Sequence, residues 1–285
     1  MPGMTQSRSE PLAKSMVMPA GRSLAFAEWG SPDGRPVLYL HGIPSSRLEH
    51  WPDDAALARL DVRLVTFDRP GYGRSGPMPG RVLLDCAADV ERLADHLGLE
   101  DFAVAGISGG GPFVLAVAWA LSDRVTRAAI SCGLGPLDRP GALEGMSPAN
   151  AEEFEIARQE PDRLTALLEG LDLLAAMPED EMAAFGLVPG LAEMMLQSAS
   201  EATRQGWLGV VADDLAFVGP WGFDLDEITV ALRLWHGDRD ALVPIHHSQF
   251  VAAQVPSAQL NTCAGEGHLA MFAHQEEVLD WLTGE

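Results

Sequence analysis

The chain has 285 residues, 47% of them apolar, and a formal net charge of -22 with a sequence pI of about 4.6. That length fits two average domains or one large α/β domain with an insertion, and the apolar content is enough for a substantial core. So acidic a surface repels phosphate backbones and anionic head groups, which argues against nucleic-acid and membrane partners and leaves a small molecule as the expected ligand. The three cysteines, Cys86, Cys132 and Cys263, form no C-x-x-C pair and are odd in number, so neither a disulfide framework nor a zinc site is expected. The segment 1–21 lacks the continuous apolar stretch of a signal peptide, and no stretch has transmembrane length. The expectation is a soluble cytoplasmic protein, its oligomeric state open.

Short apolar runs alternate with longer amphipathic ones, the rhythm of a mainly parallel sheet flanked by helices. Strands are predicted at Ser23–Trp29, Pro36–Leu40, Val62–Phe67, Phe102–Ile107 and Arg127–Cys132. Between them, Arg81–Leu97 carries apolar residues at helical spacing, and Gly109–Leu121 reads as a helix that begins without a linker. From Leu137 to about Trp221 only helical patterns occur, at Pro148–Arg158, Pro161–Met177 and Gly190–Val218. Strand character returns at Val230–Trp235 and Gln259–Cys263, and a helix over Gln275–Leu282 closes the sequence. The expected organisation is an α/β core over 1–137 and 226–285, interrupted by a helical insert over 138–225.

Gly106-Ile107-Ser108-Gly109-Gly110 fits G-x-S-x-G and falls between a predicted strand and a predicted helix. A strand turning directly into a helix strains the turning residue, lifts the Ser108 hydroxyl clear and points helix N–H groups at it. Glycine is expected at Gly106 and Gly110 because side chains on either side of the turn would collide. The bland alternative, a Gly/Ser-rich turn, is common on its own. The loop lacks a P-loop lysine and dinucleotide-site spacing, so no cofactor is expected, nor a metal.

Serine needs an adjacent base. Of eight histidines, His268 alone sits in the loop after the last predicted strand; His50 and His96 are placed on helices, and His246, His247 and His274 read as surface or packing residues. The loop after the penultimate strand offers Asp240, with Asp238 as a rival, to orient the imidazole and stabilise its charged form. The order Ser108, Asp240, His268 is that of an α/β-hydrolase. The backbone N–H groups of Gly109 and Ile43 are the expected oxyanion donors, with His41 holding the second loop.

These blocks, HGIP, DRPGYGRS (Asp68 to Ser75), GISGGGP, LWHGDRDALVP and GEGH, resemble the α/β-hydrolase family across the whole core, and among its members the cap-bearing bacterial serine esterase-like hydrolases. The resemblance implies a triad of Ser108, Asp240 and His268 and makes the insert a cap, or lid. Epoxide hydrolases and haloalkane dehalogenases use an aspartate where this chain has Ser108, and the only tyrosines, Tyr39 and Tyr72, lie outside the insert. Proline iminopeptidases resemble G-G-S-W-G at the elbow, from which Ile107 and Gly109 depart. The implied activity is cleavage of a carboxylic ester through an acyl-enzyme. C–C bond hydrolysis, with Arg158, Arg163 or Arg204 binding a diketone, is an alternative, as is a lyase, cyclase or acyltransferase on the same triad. The leucines, methionines and aromatics of the insert read mostly as packing, with a minority lining an apolar acyl pocket.

Overall fold

The structure is a computed structural model describing residues 14–172, 175, 177–186 and 188–284. Eight strands form one sheet: β1 Lys14–Val17, β2 Ser23–Gly30, β3 Arg35–Leu40, β4 Val62–Phe67, β5 Phe102–Ile107, β6 Val125–Ser131, β7 Leu232–Gly237 and β8 Ala258–Cys263. Their spatial order is β1-β2-β4-β3-β5-β6-β7-β8; β1 and β2 pair antiparallel, as do β2 and β4, and every other pair is parallel. A parallel sheet has to be covered on both faces, and β5, buried at all six positions, reads as a continuous apolar run for that reason.

Helices α1 (Asp54–Arg59), α2 (Leu83–Leu97) and α3 (Gly111–Ala120) precede the insert. The apolar stripe of α2, with Leu83, Val90 and Leu93 wholly buried, packs with α3 into one core cluster, and Gly98 ends α2 in the left-handed conformation at φ 69°. Between β6 and β7 the described residues form α4 (Pro148–Gln159), α5 (Pro161–Glu169), α6 (Glu179–Ala184), α7 (Leu191–Ala202) and α8 (Leu208–Val218). After β7 come α9 (His246–Gln254), α10 (Ala270–Ala273) and α11 (Gln275–Thr283). The second face of the sheet is covered by α1, α10 and α11 through Leu57, Met271, Phe272, Val278 and Leu279.

The mainly parallel sheet and its interruption by helices match the sequence reading, and the departures are local. The edge strand β1 was not expected, being only four residues with no buried position. The pattern over Gly190–Val218 breaks into two helices between Ala202 and Leu208, where Gly206 turns at φ 78°. The pattern over Pro161–Met177 gives α5 only as far as Glu169, and Leu173, Leu174 and Ala176 lie outside the described residues. Cys132 falls just past β6, at φ 49°, rather than closing the strand. His50 stands in a loop, its ring stacked on Trp29 at 3.7 Å, because α1 begins only at Asp54.

This topology positions the site. β3 is the central strand from which the chain moves first to β4 and then back across to β5, and ligands of open α/β sheets bind at such a switch point, outside the strand C-termini. The register pairs Leu40 with Gly106, so the loops leaving β3 and β5 emerge side by side.

Candidate active site

Ser108 follows β5 at φ 54°, a left-handed conformation that costs a non-glycine residue of order 1–3 kcal/mol and persists only where surrounding packing over-determines it. The chain continues into a short 3-10 turn, Ser108–Gly110, and then into α3. The elbow glycines are required by close approach of the chain leaving β3 and, at Gly106, also by the Val114 side chain on the helix across the turn. A Cβ at Gly106 would lie 2.9 Å from the Leu40 carbonyl oxygen and from Val114, and one at Gly110 would overlap the Leu40 carbonyl. Gly110→Ala is therefore expected to cost about 1–3 kcal/mol, read as a lower urea midpoint, because backbone rather than a movable side chain is in the way. An unchanged midpoint would remove the steric account.

The loop after β3 lies against this elbow. A Cβ at Gly109 would come within 3.0 Å of the Ile43 side chain, and one at Gly42 within 3.6 Å of Ser108. The His41 ring holds the loop, its Nδ1–H donating to the Gly42 carbonyl at 2.7 Å. Burial, reinforced by Arg69 and Arg81, keeps the imidazole neutral well below its ordinary titration range. Arg69 donates to the His41 and Gly42 carbonyls and ties them to Asp213 of α8.

From the other side of the crevice come the loops after β7 and β8. His268 Nδ1 lies 2.8 Å from Asp240 Oδ2, and the Leu242 and Val243 N–H groups donate to Asp240 Oδ1 at 2.9 and 2.8 Å. Asp238 is turned away, accepting instead from the Gly265 N–H at 2.7 Å. Burial alone would raise the Asp240 carboxyl, but His268, His236 and their hydrogen bonds hold it well below the carboxylate range. Burial alone would likewise lower His268, but Asp240 foremost, then Glu181 and Glu49, raise it above its ordinary value. Ser108 and His268 line one cavity of about 600 Å3; among the described residues no hydrogen bond joins them, and such bonds commonly tighten only with substrate in place.

Three further residues stand at this candidate site: Glu49 and Glu181, which carry no sequence signal, and His236, which the sequence reading sets at a strand end and passes over for the acid in the same loop. His236 is wholly buried, donates from Nε2 to the Val243 carbonyl at 2.7 Å, and bears on Asp240 at 3.3 Å. Glu49 accepts from the Tyr39 hydroxyl at 2.9 Å and the Gly42 N–H at 3.0 Å, on the cavity wall. Glu181 reaches from α6 to the His268 N–H. The tight pairing of Tyr39 and Glu49 within one β-strand-to-loop passage has no motif, and Glu181 ends a run of three acids in the sequence that has none either.

Cys132, His236 and Asp240 bring three ligand-type atoms within 4.8 Å, but His236 and Asp240 are already committed to Val243, Ser248 and His268, so this set does not suit a metal. Cys263, at the end of β8, forms a second such set with Glu266 and His274, which pair at 2.9 Å. The cavity wall is dominated by apolar side chains, among them Met177, Phe185, Met195, Leu196 and Trp207 of the insert.

A strained serine after a central strand, on one cavity with an imidazole from the last strand-end loop that bonds a carboxylate from the loop before it, is the placement expected of an α/β-hydrolase. The chain belongs to the family described as alpha/beta hydrolase fold, whose model matches residues 35–275. It is similar to a non-heme haloperoxidase of Rhodococcus erythropolis, 28% identical over 87% of this chain and 90% of that protein. It is also similar to a proline iminopeptidase of Xanthomonas citri, 37% identical over 34% of this chain and 31% of that protein. Among solved structures, a thermophilic esterase from Thermogutta terrifontis superposes with a TM-score of 0.65 at 24% identity, over 94% of both chains.

Proposed function

We propose that the protein is a serine hydrolase that cleaves a carboxylic ester, or a related acyl bond, of a small and largely apolar substrate. The observation that carries this reading is the His268–Asp240 hydrogen bond of 2.8 Å on the same cavity as the strained Ser108. Ser108 Oγ attacks the acyl carbon while His268 Nε2 takes its proton. Asp240 fixes the tautomer with the proton on Nδ1 and stabilises the imidazolium. The tetrahedral oxyanion is received by the N–H groups of Gly109 and Ile43. His268 returns the proton to the leaving alcohol, and water, activated by the same imidazole, releases the acid from Ser108. The segment 138–225 serves as the cap, supplying the apolar wall that receives the acyl chain and excludes water. No step calls for a cofactor. Three buried free thiols suit a cytoplasmic setting.

The test is turnover of p-nitrophenyl esters of increasing acyl length across pH. His268 must be neutral to act as base, and its neighbours raise its titration, so kcat/KM is expected to fall as pH drops through a value above 6.5. Medium apolar chains should outperform acetate. Covalent labelling of Ser108 by a fluorophosphonate without turnover of any ester or thioester would move the assignment to a non-hydrolytic acyl reaction.

A further inference from the structure

We infer that Glu181 is a positioning residue through which the cap sets the loop carrying His268 and, with it, the readiness of the site for chemistry. The inference rests on the hydrolase reading above and adds a residue to it. Glu181 lies on the six-residue helix α6 of the cap, yet its side chain leaves the cap and ends on the core. Both of its carboxylate oxygens accept from the His268 backbone N–H, at 2.9 and 2.8 Å, and the residue is 2% exposed. The Ala241 N–H, next to Asp240, also supports its charged form. One cap carboxylate thus engages the backbone amide of the histidine from outside its loop.

The approach is built into the loop. A Cβ at Gly267 would lie 2.6 Å from either Glu181 oxygen, so any side chain before His268 would shift the carboxylate from its present place. The acid loop is tied to the cap separately: the Ser147 N–H donates to the Ala241 carbonyl at 2.7 Å, and Asn150 Nδ2 donates to the Leu242 carbonyl at 3.1 Å. For the histidine loop, Glu181 is the cap acceptor of the His268 amide. A buried amide that loses its acceptor is left unsatisfied, which favours a displaced loop.

The charge of Glu181 has a second effect. His268 is faced by Asp240 from the loop after β7, by Glu49 from the loop after β3 and by Glu181 from the cap, and all three favour the imidazolium. Glu181 is itself faced by His268 and Asp240, and burial raises its carboxyl while His268 opposes the rise. The imidazolium forms in the transition state, so the cap carboxylate stabilises charge that develops during the reaction.

Position and charge are separated by two substitutions. Glu181→Gln keeps an acceptor oxygen and removes the charge; Glu181→Ala removes both. With a p-nitrophenyl ester, Glu181→Ala is expected to lower kcat about 10- to 100-fold with a smaller change in KM, since a misplacement of about 1 Å can cost 100-fold. Glu181→Gln should recover most of the kcat, while the acid limb of kcat/KM moves to lower pH in both. Gly267→Ala, which pushes the carboxylate away without removing it, should reproduce the loss of kcat. An unchanged kcat in Glu181→Ala, or an acid limb that stays in place in Glu181→Gln, overturns the inference. If no ester is turned over at all, the hydrolase reading has failed separately, and the His268 imidazole titration followed by NMR decides: a lower value in Glu181→Gln than in the parent supports the role, and an equal value overturns it.

Discussion

Ser108→Ala is expected to lower kcat toward a purified ester substrate by about 10⁶-fold while the protein remains folded. The size follows from the proposed mechanism, in which the hydroxyl forms the covalent bond and His268 and Asp240 have no purpose without it. Residues acting as one unit lose their effect together, so the whole triad contribution disappears with Ser108. What survives is binding and the pair of oxyanion donors, worth about 10³–10⁴-fold over water. The backbone should not relax, because Ser108 is held at φ 54° by the packing of Gly106 and Gly110 against β3, and alanine carries the same Cβ. Thermal unfolding is therefore expected within about 0.5 kcal/mol of the parent. Fluorophosphonate labelling, read by intact mass, should vanish in the variant. Turnover that persists at a tenth or more of the parent rate would place the nucleophile elsewhere.

The elbow was legible in the sequence because its chemistry is local. A strand running into a helix across G-x-S-x-G states its backbone requirement within five residues. Asp240 and His268 were legible for a related reason, since each follows a strand in a short loop and the topology brings those loops together. The choice between Asp238 and Asp240 was not, because the two differ by one turn of a loop, and only the Leu242 and Val243 amides decide which carboxylate is drawn inward. Glu49, His236 and Glu181 were hidden for a different reason. Glu181 meets a residue far along the chain, His268 being 87 positions away, whereas Glu49 and His236 meet near neighbours in pairings that form no motif. Periodicity describes an element's own buried face and says nothing about which foreign backbone a single polar side chain meets. The short helices α1 and α6 escaped in the same way, having too few turns to show a period.

The second large effect is expected at Asp213, where the insert is fastened to the core. Asp213 of α8 is fully buried; its Oδ2 accepts from Arg69 Nε and Nη2 at 3.0 and 2.7 Å and from the Tyr72 hydroxyl at 2.7 Å, and its Oδ1 pairs with Arg81. All three partners come from the core segment between β4 and α2. Asp213→Ala leaves two guanidinium groups buried, and guanidinium cannot shed its charge in a protein. Breaking a buried pair in this way costs about 3–5 kcal/mol, far more than an exposed ion pair, because the unpaired charge rather than the lost attraction dominates. One neighbour works against this. Asp214 is wholly buried beside Glu153; burial and that neighbour raise its carboxyl well above the usual range, and it could ionise to receive Arg81. Arg69 also carries the His41 and Gly42 carbonyls beside Ile43. Asp213→Ala should therefore lower the urea midpoint by the equivalent of about 3–5 kcal/mol and reduce kcat in the protein that remains folded, through the displaced Ile43 N–H. Should Asp213→Ala lose stability by less than about 1 kcal/mol, Asp214 has taken over the pairing and the insert is held chiefly by apolar contacts such as Phe113 against Phe217. A loss of stability with undiminished kcat would instead separate the fastening of the insert from the shape of the oxyanion loop.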